Sequence, residues 1–260
     1  MCYTLKLLAC FIFVLVGGTS LIHANPLHTR FQAIIFDCDG VLVDTEYLKF
    51  LAWKEALETQ EVSFSIEEYM PLVGHSSKNI LQMIRDSKNI DISEEVIEVK
   101  NGKYKHLQKQ GVRPIPEMVS FALRLVESKQ QLGIRLALAS SAPKEEILVN
   151  LKQIGLENAF DLIISGSDDL REYTDAEGTN KPKPYIYIES AKRLGISPEF
   201  CLVLEDTKAG VDAAASAGMV AIAVPNQFTL THDFSNAHQI ISSYEDFSSF
   251  DVLTRLNGKR

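Results

Sequence analysis

The sequence predicts an α/β fold, a parallel-sheet core interrupted by an inserted α-helical domain. Three observations carry this. Short apolar runs recur at residues 33–36, 136–139, 162–164, 202–204 and 220–224, each ending in polar or small residues. Stretches of helical periodicity separate the later runs, which is the signature of βαβ units. From Glu46 to about Val112 the pattern changes: helical stripes (Leu51 and Leu57; Ile80, Met83 and Ile84; Val96, Ile97 and Val99) follow one another with no convincing strand.

Taken from the N-terminus, the first feature is an unbroken apolar run at residues 7–16, preceded by Lys6 and followed by Gly17-Gly18-Thr19-Ser20 and Ile22-His23-Ala24. It reads as a signal peptide or N-terminal anchor over residues 1–24, because it is shorter than the ~20 apolar residues of a full membrane span. Export to the periplasm or membrane anchoring is expected if this segment acts as a signal, and a cytoplasmic location otherwise. Membrane contact is expected only through residues 7–24. A Rossmann-like core is assigned to residues 28–45 and 114–260, with a helical cap at 46–113. Gly111-Val112-Arg113-Pro114-Ile115-Pro116 forms the return crossing, stiffened by its two prolines. Ile147, Leu148, Leu151 and Ile154 mark one core helix and Ala191 and Leu194 another, stopped by Gly155 and Gly195. The polar segment 165–184 is long for a connection, a size often functional in compact domains; its part 165–180, with Asp168, Asp169, Asp175 and Glu177, is expected to be solvated chain rather than a substrate rim or partner surface.

Composition limits the function. The chain has 260 residues, 46% of them hydrophobic, and its 26 Lys and Arg against 34 Asp and Glu leave a net charge of −8. This excludes a disordered or collagen-like protein and argues against a nucleic-acid binder, which needs a basic surface. Cys2, Cys10, Cys38 and Cys201 are too scattered for a disulfide framework or a CxxC metal site. A monomer acting on a small phosphorylated metabolite is expected.

The chemistry gathers at strand ends. The first strand runs into Asp37-Cys38-Asp39-Gly40, where Gly40 lets the chain turn so that both carboxylates can approach one ligand. A calcium loop is disfavoured, because apolar Val41-Leu42-Val43 follows where further oxygen ligands would be needed. Ala139-Ser140-Ser141, Lys181-Pro182-Lys183-Pro184 and Glu205-Asp206 end or follow later strands and project onto the same edge. Each is weak alone. Together they supply hydroxyls, a lysine and carboxylates suited to Mg²⁺ and a phosphoryl group.

These motifs resemble the haloacid dehalogenase superfamily, in its branch with a helical cap after the first strand, through Asp37-x-Asp39-Gly40-Val41-x-x-Asp44, Ala139-Ser140-Ser141, Lys181-Pro182-x-Pro184 and Glu205-Asp206-x-x-x-Gly210. The resemblance implies that Asp37 is a nucleophile forming an aspartyl-phosphate and that Asp39 is the general acid and base. It implies Mg²⁺ on Asp37, the Asp39 carbonyl and Asp206, with Glu205 as a further ligand or supporting partner. Ser140, Ser141 and Lys181 would bind phosphate. Asp44 is expected to hold the loop by hydrogen bonds, and Gly210 to serve close packing.

Within that branch the pattern is nearest to β-phosphoglucomutase and sugar phosphatases, helped by Asp44-Thr45-Glu46-Tyr47 and Ala52-Trp53. Lys49 stands where the mutase-like pattern has a histidine, Gly74-His75-Ser76-Ser77-Lys78 lacks the arginine that grips a distal phosphate, and Ala142-Pro143-Lys144 replaces a further phosphate-binding stretch. Lys49, His75 and Lys78 remain candidate cap residues, and Lys78 or Lys144 could act as substitute point charges. The expectation is an Mg²⁺-dependent phosphatase for a small phosphate monoester, a sugar phosphate, with a phosphomutase as the alternative.

Overall fold

The structure, a computed structural model, describes residues 29–255. The proposed signal or anchor at residues 1–24 therefore lies outside the described residues. Among those residues no helix is long and apolar enough to cross a membrane.

The chain begins with β1 (Ala33–Phe36) and β2 (Val43–Asp44), then runs through α1 (Glu46–Glu58), α2 (Ile66–Tyr69), α3 (Ser77–Lys88) and α4 (Glu95–Gln110). It returns through β3 (Arg113–Pro114) to α5 (Pro116–Leu132), β4 (Arg135–Ser140), α6 (Lys144–Gln153), β5 (Leu162–Ser165) and α7 (Tyr185–Leu194). Next come β6 (Cys201–Glu205), α8 (Lys208–Ser216), β7 (Val220–Ala223), β8 (Gln239–Ile240) and α9 (Asp251–Thr254). The sheet has the order β5-β4-β1-β6-β7-β8, and all of its pairings are parallel. β1 is flanked by β4 and β6, so strand order reverses beside it. That reversal opens a crevice at the carboxyl ends of these strands.

The five apolar runs from residue 33 onward are strands, and both sheet faces are covered. Ile34, Phe36, Leu136, Leu138, Leu202 and Leu204 face one core with α5 and α6 residues such as Phe121 and Ile147. Ala33, Ile35, Ala137, Ala139 and Val203 face the other with Ile186, Tyr187, Val211 and Ala214. This period-2 partition follows from the pleat, and full burial of each large side chain contributes roughly 1.5–3 kcal/mol. The strand β8 and the antiparallel β2–β3 pair, two residues each, were not anticipated. Such short pieces carry no readable alternation.

The helical insert between β2 and β3 has its own apolar cluster, in which Trp53, Leu57, Tyr69, Leu81 and Ile84 are buried. Ser65 and Glu68 form a reciprocal capping box at α2, and Ser76 caps α3 by accepting from the Asn79 N–H. Gly155 and Gly195 have φ of 74° and 68° just past α6 and α7, the left-handed stops that the sequence implied.

Two expectations change. Segment 165–180 is not merely solvated: Asp169 Oδ2 accepts from the Ser165 N–H at 2.8 Å and from Lys144 Nζ at 3.0 Å, and Asp168 Oδ2 accepts from the Lys144 N–H at 2.7 Å. These carboxylates fasten the loop to the start of α6. Asp44 holds no loop by hydrogen bonds. It faces Arg113 across the β2–β3 pair at 3.6 Å, while its neighbour Thr45 donates to Asp39 Oδ1.

Candidate active site

Asp37 follows β1 directly, with its N–H donating to the Leu204 carbonyl at 3.0 Å, so the nucleophile candidate stays against β6. Gly40 then turns the chain with φ of 79°, and a Cβ there would lie 2.0 Å from Asp206 Oδ2. Only glycine fits both the conformation and the space. The turn carries Asp39 away from the strand, where its side chain meets Thr45, Ser140 Oγ at 3.4 Å and Lys49 Nζ at 3.7 Å.

Lys181 occupies the centre. Its ammonium donates to Asp37 Oδ1 at 2.6 Å, Glu205 Oε1 at 2.6 Å and the Ala139 carbonyl at 3.1 Å, which uses all three of its protons. Glu205 also accepts from Tyr187 and, through Oε2, from Thr207 Oγ1 at 3.3 Å. Burial pushes Asp37 up to about 7 despite the Lys181 charge beside it. Burial alone would lower Lys181, but Asp37 and Glu205 outweigh it and hold the ammonium well above its usual range. Burial, reinforced by the charges of Asp37 and Glu205, raises Asp206.

Carboxylate oxygens of Asp37, Glu205 and Asp206 lie within 4.8 Å of one another. Asp206 Oδ1 is buried with no hydrogen-bond partner, whereas Oδ2 accepts from Asn226 Nδ2 at 2.8 Å. A buried carboxylate oxygen without a donor is costly unless a cation completes it, and an all-oxygen set suits a hard ion. The residues therefore fit a divalent metal. The Asp39 side chain is not in this cluster.

Ser140 ends β4 and is buried, with Oγ also accepting from the Ala142 N–H at 3.2 Å. Ser141 is exposed and lines the same cavity of about 560 Å³, a volume in the range of small-molecule sites. The insert closes its far side: Lys49, His75, Lys100 and Tyr104 line it, with Glu146 from α6. Lys49 pairs with Glu46 at 2.7 Å. His75 sits exposed at the cavity edge, its Nδ1 3.2 Å from the Leu72 carbonyl. Lys78 is exposed on α3 and does not line the cavity. Lys144 does not line it either, because its ammonium is bound to Asp169 and the Ile163 carbonyl.

Sequence reasoning missed Lys100, Tyr104, Glu146 and Asn226. Lys100 lies 5.6 Å from the Trp53 ring centroid, and burial, with Lys49 nearby, pushes it down to about 8. Tyr104 is 4% exposed, with Glu146 beside its hydroxyl. Lys100 and Tyr104 are spaced at i and i+4 on α4, a pattern that could have been read as one helix face.

Gly210 packs against the site itself: a Cβ there would fall 1.9 Å from Glu205 Cδ.

Residues 34–224 match the family of haloacid dehalogenase-like hydrolases. The chain is 35% identical over 195 residues to a phosphorylated carbohydrates phosphatase of Thermotoga maritima, spanning 72% of this chain and 82% of that protein. It is 31% identical over 199 residues to the beta-phosphoglucomutase of Bacillus subtilis, spanning 74% and 83%. The crystal structure of CbbY from Rhodobacter sphaeroides in complex with phosphate superposes with a TM-score of 0.71 at 25% identity, covering 86% of this chain and 99% of that one. The chain belongs to the haloacid dehalogenase-like hydrolases and is an enzyme of their phosphoric monoester hydrolase class.

Proposed function

We propose that the protein is an Mg²⁺-dependent phosphatase that hydrolyses a small sugar phosphate through an aspartyl-phosphate on Asp37, with helices α1–α4 acting as a cap over the site. The observation that carries the reading is Lys181, bonded at 2.6 Å to both Asp37 and Glu205 beside the unpartnered Asp206 Oδ1. The relationship to a phosphorylated carbohydrates phosphatase supports the substrate class.

Mg²⁺ held by Asp37, Asp206 and Glu205, with the Asp39 carbonyl, would neutralise charge on the phosphoryl oxygens. The residues of the chain do the rest. A carboxylate oxygen of Asp37 attacks phosphorus, and the bond to the leaving sugar oxygen breaks as Asp39 donates a proton to it. Asp39 then takes a proton from water, which attacks the same phosphorus and releases Asp37 and inorganic phosphate. Thr45, Lys49 and Ser140 hold Asp39 in reach. Ser140 offers a hydroxyl to the phosphoryl oxygens, Lys181 adds its positive charge beside Asp37, and the insert limits water around the leaving group.

Lys144 and Lys78, the residues that could have gripped a distal phosphate, are spent elsewhere or exposed, which favours hydrolysis over phosphoryl return. The test is phosphate release from a panel of sugar phosphates with Mg²⁺ and with chelator, beside a coupled assay for glucose 6-phosphate from β-glucose 1-phosphate. Metal-dependent release that disappears in Asp37→Asn supports the proposal. Glucose 6-phosphate formed without phosphate release would replace it with a phosphomutase.

A further inference from the structure

We infer that Asn226 is a positioning residue that ties the seating of the helical insert to the metal-binding carboxylate Asp206. The inference rests on the proposed metal site and adds a residue that acts on it from outside. Asn226 stands in the turn that follows β7. Its side-chain oxygen accepts the Phe228 N–H at 2.9 Å, and its own N–H donates to Thr229 Oγ1 at 3.0 Å. An amide whose oxygen is taken by a backbone N–H must turn its NH₂ the other way. That NH₂ donates to Asp206 Oδ2 at 2.8 Å and lies 3.4 Å from the Gly40 carbonyl. One Asp206 oxygen is thereby consumed, and the other, on a residue of the carboxylate cluster, is left buried and unpartnered. The orientation of the ligand oxygen is set by Asn226.

The same turn delivers Phe228. This residue belongs in sequence to the sheet domain, yet it is 3% exposed and sits in the insert's apolar cluster with Trp53 and Tyr69. Thr229, which anchors the turn from below, is fully buried. A shift of the insert that drags Phe228 must therefore displace the amide that holds Asp206. Because such a coupling is reciprocal, a cation at Asp206 favours the seated insert as much as seating favours the cation.

The test is the affinity of the full chain for Mn²⁺, standing in for Mg²⁺, measured without substrate from the electron paramagnetic resonance signal of free Mn²⁺. Asn226→Ala is expected to weaken binding about tenfold or more. Phe228→Ala touches no ligand and is expected to weaken it about fivefold, with Phe228→Leu restoring it to within about twofold. The double variant Asn226→Ala/Phe228→Ala should bind no more weakly than Asn226→Ala alone. Circular dichroism checks that each variant is folded. Should Asn226→Ala not fold, Thr229→Val removes one anchor of the turn and is expected to cost about fivefold. Wild-type affinity in Asn226→Ala, or in Thr229→Val in its place, overturns the positioning role, and wild-type affinity in Phe228→Ala overturns the tie to the insert. A wild-type chain that binds no Mn²⁺ overturns the metal site itself, an outcome distinct from both.

Discussion

Gly210 has no space for a side chain, because the Glu205 carboxylate lies where its Cβ would be, 1.9 Å from Glu205 Cδ. That carboxylate cannot yield freely: Lys181 and Tyr187 hold one oxygen and Thr207 the other. Thr207 also caps α8 by accepting from the Gly210 N–H at 3.1 Å, so the helix start and the site share one anchor. Gly210→Ala should therefore cost about 1–3 kcal/mol of stability through overpacking. Turnover should fall at the same time, because Glu205 and Lys181 must shift. Thermal melting and steady-state kinetics check both, and a variant with unchanged melting and turnover would show that α8 can move aside.

Lys181 is the counter-charge for two buried carboxylates, with a side chain only 9% exposed. Lys181→Met should destabilise the metal-free protein by about 3–5 kcal/mol, the usual result of removing one partner from a buried pair. Chemical denaturation with chelator present measures this. Adding Mg²⁺ should recover part of the loss, since a cation bound by Asp37, Glu205 and Asp206 offsets the same charges. A loss unaffected by Mg²⁺ would count against the metal site.

How far the sequence could be read follows from these contacts. The five core strands were legible because each is an apolar run buried on both faces; Asp37, Asp39, Ser140, Glu205 and Asp206 were legible because each sits at or just beyond such a run, and Lys181 because its Lys-Pro-x-Pro motif follows the third run in order. The opposite wall was not. Lys100, Tyr104 and Glu146 lie on helices, where polar residues read as a solvated face, and only the approach of the insert to the core makes them a cavity wall. Asn226 was hidden for a similar reason. Pro225-Asn226 reads as a turn, and nothing nearby in sequence shows that the turn reaches Asp206, 20 residues before it.

Lys100 predicts a pH dependence. Burial, then the like charge of Lys49, pushes its ammonium down to about 8, so it is charged below that pH and neutral above it. If this ammonium contacts the anionic substrate, kcat/KM should fall as pH rises through about 8, because this quantity follows the titration of the free enzyme. The fall should be roughly tenfold, the size of one charged hydrogen bond. Lys100→Gln should be low and flat over the same range. A wild-type profile level from pH 7 to 9 would place Lys100 outside substrate recognition.

Lys144 and Lys78 provide the contrast. The Lys144 ammonium is committed to Asp169 at 3.0 Å and to the Ile163 carbonyl, and Lys78 is exposed on α3 away from the cavity lining. Lys78→Ala and Lys144→Ala should both keep turnover within about twofold of wild type. Lys144→Ala should cost at most about 1 kcal/mol of stability, since water screens a side chain that is more than a third exposed. Lys49→Ala differs, because Lys49 stands 3.7 Å from Asp39 and its charge is held well above the usual lysine range. Burial would lower it, and Asp39 and Glu46 more than reverse that effect. Its loss removes the cation beside the proposed general acid, so the pH profile of kcat should move while those of Lys78→Ala and Lys144→Ala do not. A Lys144→Ala variant that lost activity without losing stability would return that residue to the phosphate site and with it the case for a mutase.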